Sequence, residues 1–242
     1  MDIILVPGLW LDASSWDAVT PTLERSGHRV QALTLPGMES KDADRSGITL
    51  QDHVKAVVAA IDATDPADGP VLLVGHSVGC GICHGAVDAR PERVARVVHI
   101  GGFPAPAGTP MLPGLPAENG EVSMPDWTEL GEEANIVDFD ADSLAQFYAD
   151  AIPAPEGVLT GALELSDQRR YDVPVTAVCP EYTATDLRRW LADHEEPVSE
   201  LAKVRDVEYV DLSSGHWPQL TQPTELAQVI LDAAIRTRPA HA

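Results

Sequence analysis

The sequence predicts an α/β fold, a mostly parallel central sheet flanked by helices. Three observations carry this. Short runs of apolar, largely β-branched residues alternate with stretches of helical periodicity. The strand runs are continuously apolar rather than alternating, as strands covered on both faces are. The chain has 242 residues of which 44% are hydrophobic, enough for one large core.

Along the chain, Ile3–Val6 reads as a fully buried strand. Ser14–Arg25 reads as a helix, with Ser14 or Ser15 as N-cap and Gly27 as its stop. Arg29–Leu35 is the next strand, ended by Pro36-Gly37. In Thr49–Ala63 the residues Leu50, Val54, Val57, Val58 and Ile61 share one face, which predicts a helix. Val71–Val74 is a buried strand, followed by a helix from Val78 to about Arg90. Val94–Ile100 and Val175–Cys179 are strands, Asp186–Ala202 a helix, Val207–Leu212 a strand and Thr224–Ile235 the last helix.

The alternation breaks between about Phe103 and Asp172. That stretch is rich in proline, from Pro104 to Pro155, carries scattered acids, and holds one short amphipathic helix near Ser143–Asp150. It is too long for a loop within a compact domain. The expected organisation is therefore a core in two parts, 1–103 and 173–242, with a cap inserted over residues 104–172.

Sixteen Lys and Arg face 38 Asp and Glu, a formal charge of −22. Such a chain lacks the basic stripe that neutralises phosphates, so a nucleic-acid partner is excluded, and an anionic membrane surface would repel it. No apolar run approaches the roughly 20 residues that span a bilayer. The N-terminus runs from Met1-Asp2 straight into an apolar strand, with no basic region or cleavage site of a signal peptide. Three cysteines make no disulfide framework. A cytoplasmic protein is expected, its partner a small-molecule substrate; no feature specifies an oligomeric state.

The strongest chemical signal is Gly75-His76-Ser77-Val78-Gly79, a G-x-S-x-G between a predicted strand and a predicted helix. The chain must turn sharply there, and a side chain at Gly75 or Gly79 would crowd the turn. Ser77 Oγ is then held above the sheet, and the Val78 N–H, in the first helical turn, points at an incoming carbonyl oxygen. A serine needs a base. Ser213-Ser214-Gly215-His216-Trp217-Pro218 follows the last strand, and His216 is the histidine that sits on a loop after a strand end. His28, His53, His194 and His241 fall on surface-like helix, turn or tail positions, where solvation is expected. His84 and His99 fit core positions better. The loop Val6-Pro7-Gly8-Leu9-Trp10 after the first strand would bring the Leu9 N–H to the same oxyanion.

These residues, with Trp16, Leu35-Pro36-Gly37, Pro91-Glu92-Arg93-Val94, Phe147-Tyr148-Ala149-Asp150 and Gly215-His216-Trp217-Pro218, resemble the α/β-hydrolase superfamily over essentially the whole chain. Within it, the likeness is to the small plant-type methylesterase and hydroxynitrile-lyase branch and its bacterial relatives. The resemblance implies the α/β-hydrolase fold, Ser77 as nucleophile, His216 as general acid and base, and Leu9 and Val78 as oxyanion donors.

Two departures stand out. The family's His-Gly oxyanion motif reads Pro7-Gly8 here. The strand Val175–Cys179 is followed by Pro180-Glu181-Tyr182-Thr183-Ala184-Thr185-Asp186, with Tyr182 where an acid belongs. Glu181 is the first choice for the acid that orients His216; Asp186, which opens the next helix, a cap carboxylate, or no acid at all are the alternatives. Trp10, His76 and Trp217 are expected to contact substrate. Cys80-Gly81-Ile82-Cys83 has redox-type spacing but reads as small residues packing on the sheet. No metal-ligand spacing and no phosphate loop occurs, so no metal or cofactor is expected. The expected function is a serine hydrolase acting on a small or medium, neutral ester or lactone. A lyase or cyclase on the same fold, or a ligand-binding relative with impaired catalysis, are the rivals.

Overall fold

Ile3, Ile4, Leu5 and Val6 have no exposed surface. Four consecutive apolar side chains can all be buried in a strand only if both faces of the sheet are covered. The computed structural model describes residues 1–237. Its strands are β1 (Asp2–Val6), β2 (Arg29–Ala32), β3 (Val71–His76), β4 (Val94–Ile100), β5 (Glu121–Val122), β6 (Ala154–Pro155), β7 (Val175–Cys179) and β8 (Val207–Asp211). Six of them form one sheet in the order β2-β1-β3-β4-β7-β8. Every pairing in it is parallel.

The helices are α1 (Thr20–Arg25), α2 (Leu50–Ala63), α3 (Val78–Ala89), α4 (Ala141–Asp150), α5 (Glu156–Leu159), α6 (Ala184–Ala192), α7 (Pro218–Thr221) and α8 (Pro223–Arg236). Successive strand residues point to opposite faces, which separates the core in two. Ile4, Val6 and Leu73 pack with Leu50, Val54, Val57 and Ile61 of α2 and with Ile82 and Ala86 of α3. Ile3, Leu5, Leu72 and Val74 pack with Trp16, Leu23 of α1 and Leu226 and Ile230 of α8. Each such aliphatic side chain contributes roughly 1.5–3 kcal/mol on burial. α2 starts on a capping box, with Thr49 and Asp52 satisfying each other's backbone N–H groups.

Three elements and one histidine differ from expectation. The helix expected over Ser14–Arg25 is a 3-10 turn at Ala13–Trp16 and then α1. Asp12, rather than Ser14 or Ser15, caps the turn by accepting from the Ser14 N–H, and Pro21 restarts the helix in its first turn. The second strand ends at Ala32 instead of Leu35, one residue before the chain leaves toward Pro36. The helix expected over Asp186–Ala202 stops at Ala192; a positive φ of 57° at His194 turns the chain, and Pro197 sits in one of two short 3-10 turns that follow. His53 is not solvated: it is 2% exposed, with Nε2 2.8 Å from the Pro36 carbonyl. His241 lies outside the described residues.

Between β4 and β7 the chain leaves the sheet. β5 and β6 pair antiparallel, and α4 and α5 lie on either side of β6. Trp10 Nε1–H donates to the Val122 carbonyl at 3.0 Å, and the Ile152 N–H donates to the Trp10 carbonyl at 2.9 Å. Arg45, 3% exposed, donates Nε–H to the Pro153 carbonyl at 2.6 Å. This segment is thereby pinned to the chain that follows β1 and β2. Among the described residues no helix is long and apolar enough to cross a membrane.

Candidate active site

β3 ends at His76 and α3 begins at Val78, leaving Ser77 alone to make the turn. It does so at φ 54° and ψ −126°. Such a conformation costs a residue with a Cβ on the order of 1–3 kcal/mol and persists only where its surroundings impose it. The Ser77 N–H donates to the Ile100 carbonyl at 2.9 Å, and the Ser77 carbonyl accepts from the Cys80 N–H at 2.9 Å. Both motif glycines are required by close approach. A Cβ on Gly75 would stand 2.7 Å from the Gly79 carbonyl oxygen, and one on Gly79 would stand 2.6 Å from the Pro7 carbonyl oxygen.

His216 lies between β8 and α7. Its N–H donates to the Asn135 carbonyl at 2.8 Å, and the Gly215 N–H donates to Asp138 Oδ2 at 2.8 Å. Gly215 is the residue that fits there, since a Cβ would approach the Asn135 oxygen to 2.4 Å. His216 Nδ1 is 2.8 Å from Glu181 Oε1, with the two side chains 16% and 18% exposed. Of the carboxylates considered from sequence, Glu181 is the one that reaches the imidazole. Asp186 is engaged elsewhere: its Oδ2 accepts from the Thr183 hydroxyl and N–H, completing the capping box of α6. Glutamate, one methylene longer than aspartate, reaches His216 from a position one residue early.

His76 is fully enclosed, and its Nε2–H donates to the His216 carbonyl at 2.8 Å. A carbonyl can only accept, so Nε2 carries the hydrogen. Burial, helped by the neighbouring His216, pushes the His76 pKa down to about 3 and keeps the ring neutral. Gly8 lies against this ring: a Cβ on it would be 2.8 Å from His76 Nδ1 and 3.0 Å from Ser77 Cβ. One buried imidazole therefore touches the loop after β1, the turn at Ser77 and the loop of His216.

Ser77, His216, Glu181, Leu9, Trp10, His76 and Trp217 all border one cavity of about 390 Å3. Leu112, Pro113, Leu115, Trp127, Leu130, Glu132 and Asn135 complete it. Val78 borders an adjoining cavity of about 400 Å3 that also reaches Ser77, lined by Phe103, Met111 and several prolines. Val78 opens α3, so its N–H has no acceptor within the helix. Trp10 and Trp217 are 4% and 2% exposed. Trp217 packs against Trp127, Phe139 and Phe147 and stands edge-on to His216 at 4.9 Å. Neither cavity is lined by lysine or arginine.

The three cysteines and His84 do not line the cavity that holds Ser77 and His216. Cys80, Cys83 and Cys179 are free and buried. Burial pushes all three thiols up, Cys179 to about 12, which keeps them protonated. His84 Nε2 is 3.1 Å from Glu200 Oε2 inside a buried network with Tyr171 and Arg170. Among the described residues no group of three or more His, Cys, Asp or Glu side chains is disposed to hold a metal ion.

Sequence reasoning missed Asn135 and Asp138, whose backbone oxygen and carboxylate hold the His216 loop from 77 to 81 positions away. No local pattern marks either, because both act through backbone groups of a distant loop. The contact of His76 with His216 spans 140 positions and was equally hidden.

Comparison with known proteins agrees with the geometry. A family model described as the alpha/beta hydrolase family matches residues 3–229. A pyrethroid hydrolase of Sphingobium wenxiniae is 28% identical over 247 residues, spanning 96% of this chain and 87% of that protein. Methylesterase 7 of Arabidopsis thaliana is 25% identical over 256 residues, spanning 96% and 95%. Among solved structures, an extracellular alpha/beta-hydrolase from a Paenibacillus species, described as sharing structural and functional homology with tobacco salicylic acid binding protein 2, matches with a TM-score of 0.76. It is 21% identical and the match covers 96% and 98% of the two chains, a likeness in fold.

Proposed function

The chain belongs to the alpha/beta hydrolase family, and from that membership we propose that it is a carboxylic ester hydrolase working through Ser77, His216 and Glu181. Ser77 Oγ attacks the ester carbonyl while His216 Nε2 takes its proton. Glu181 accepts the Nδ1–H, which leaves Nε2 free as the base and stabilises the imidazolium that forms. The developing oxyanion is held by the N–H groups of Leu9 and Val78, each such donor contributing roughly 2.7–4 kcal/mol to the transition state. His216 then protonates the leaving alcohol, and a water activated by the same ring releases the acid. No step needs a cofactor.

The observation that carries this reading is the 2.8 Å contact between His216 Nδ1 and Glu181 on the cavity that Ser77 also borders. The substrate is a small or medium neutral ester: the walls are mainly apolar and aromatic, and no cationic side chain is present to hold an anionic group. The relatives named for pyrethroid and methyl ester cleavage make those two ester types the first to assay. Residues 104–172 serve as a cap that supplies Leu112, Leu115, Trp127 and Asn135 to the cavity. Trp10 and Trp217 contact substrate, and His76 sets the His216 loop. Three free, protonated thiols suit a cytoplasmic setting. The test is Ser77→Ala with p-nitrophenyl acetate or butyrate: turnover should fall by at least three orders of magnitude, and wild-type turnover in the variant would overturn the proposal.

A further inference from the structure

Glu181 borders a second cavity, of about 280 Å3, that the chemistry above does not use. Its walls include Phe103, Tyr182, Trp190 and the carboxylate-bearing Glu195. The three rings are mutually inclined: Phe103 to Tyr182 by 42° at 5.7 Å, Phe103 to Trp190 by 86° at 6.4 Å, and Tyr182 to Trp190 by 52° at 5.0 Å. Rings set at such angles pack edge to face rather than in a stack, and all three border the cavity. The local sequence brings them together. α6 presents Trp190, the chain reverses at His194, and the Glu195 N–H returns to the Trp190 carbonyl at 3.0 Å, which brings Glu195 beside the indole. No lysine or arginine lines the cavity. Glu181 spends Oε1 on His216, while its Oε2 is buried without a hydrogen-bond partner.

Few ligands satisfy both the rings and the carboxylates. A neutral apolar group would leave the unpartnered Glu181 Oε2 desolvated beside it. An anion would be repelled, and a hydrated metal ion has no use for aromatic faces. A soft organic cation matches both, because its charge is attracted to the ring faces as well as to the carboxylates. The volume, about 280 Å3, falls just below the roughly 300 Å3 at which drug-sized sites begin, and so suits a ligand of only a few heavy atoms. We propose that the cavity formed by Phe103, Tyr182, Trp190, Glu181 and Glu195 binds a quaternary alkylammonium group. Through Glu181 the bound cation opposes the positive charge that His216 acquires in catalysis, so it inhibits ester hydrolysis; this consequence rests on the function proposed above, whereas binding itself does not.

Choline and its uncharged carbon isostere 3,3-dimethylbutan-1-ol separate charge from shape. Calorimetry and tryptophan fluorescence on the full chain should show saturable choline binding, with the isostere weaker by roughly tenfold or more. The same affinity is expected in Ser77→Ala, so binding is read whether or not the chain is a serine hydrolase. Trp190→Leu and, at an exposed position, Glu195→Gln should each weaken choline at least fivefold while leaving basal ester turnover unchanged, and choline inhibition should weaken in parallel. Absence of saturable choline binding, equal binding of the isostere, or undiminished binding in both variants overturns the proposal.

Discussion

Replacing Glu181 with glutamine removes one negative charge 2.8 Å from His216 Nδ1 and changes almost nothing in volume. At about 4 Å between charge centres and an effective dielectric of about 20, a carboxylate beside an imidazolium is worth about 4 kcal/mol. Both side chains keep partial contact with solvent, at 16% and 18% exposure, and screening removes about half of that. The remaining 2 kcal/mol is roughly 30-fold in rate. The amide adds a second loss, since its N–H can donate to Nδ1 and hold the ring in the tautomer that cannot act as base. Together these predict a fall in kcat of roughly 100- to 1,000-fold. The assay is steady-state hydrolysis of p-nitrophenyl butyrate, with melting temperature measured in parallel. KM should change little, because the charge matters most once His216 is protonated. A Glu181→Gln enzyme within threefold of wild-type kcat would refute the reasoning. Asp186→Asn is the control: it should leave kcat alone and lower stability by about 0.5–1 kcal/mol through the α6 capping box.

Other perturbations have equally definite outcomes. Gly8→Ala places a Cβ 2.8 Å from His76 Nδ1 and 3.0 Å from Ser77 Cβ, both immobile, so the loop must shift and carry the Leu9 N–H with it; kcat should fall roughly 100-fold, and an unchanged kcat would exclude that loop from the oxyanion site. His76→Leu removes the donor to the His216 carbonyl; kcat should drop about tenfold with KM little altered, and His76→Gln, which can still donate, should recover part of the loss. His76 and His99 titrate near pH 3 in the folded chain against an ordinary 6.5, so between those values the unfolded state binds more protons and stability falls as pH falls. The melting temperature should therefore decline from pH 6.5 to 5, above the carboxylate range, and His99→Asn should flatten the decline; a flat wild-type profile would show that the two rings are not buried neutral.

The sheet was legible because its strands are continuous apolar runs, and Ser77 was legible because G-x-S-x-G lies between a strand and a helix. Both are short-range patterns. His216 could be placed by its position after the last strand. Glu181 was the least secure reading: its offset from the usual acid position is compensated by an extra methylene, a reach that only the three-dimensional spacing displays. The helix boundaries at Ala13–Trp16 and Ala192 escaped because Asp12 and the turn at His194 override periodicity with local hydrogen bonding and a left-handed residue. His53 looked solvated from its helical neighbours, yet α2 buries it with Nε2 against the Pro36 carbonyl. Asn135, Asp138 and the His76–His216 contact were invisible for a different reason: each joins segments at least 77 positions apart through a backbone group.

Intact-mass analysis after treatment with a fluorophosphonate, followed by peptide mapping, tests most directly whether Ser77 is the nucleophile. A single adduct is predicted, on the peptide that contains Ser77, absent from Ser77→Ala and formed far more slowly in His216→Ala. Ester hydrolysis by a protein that carries no adduct, or an adduct on another residue with Ser77 unmodified, would contradict it.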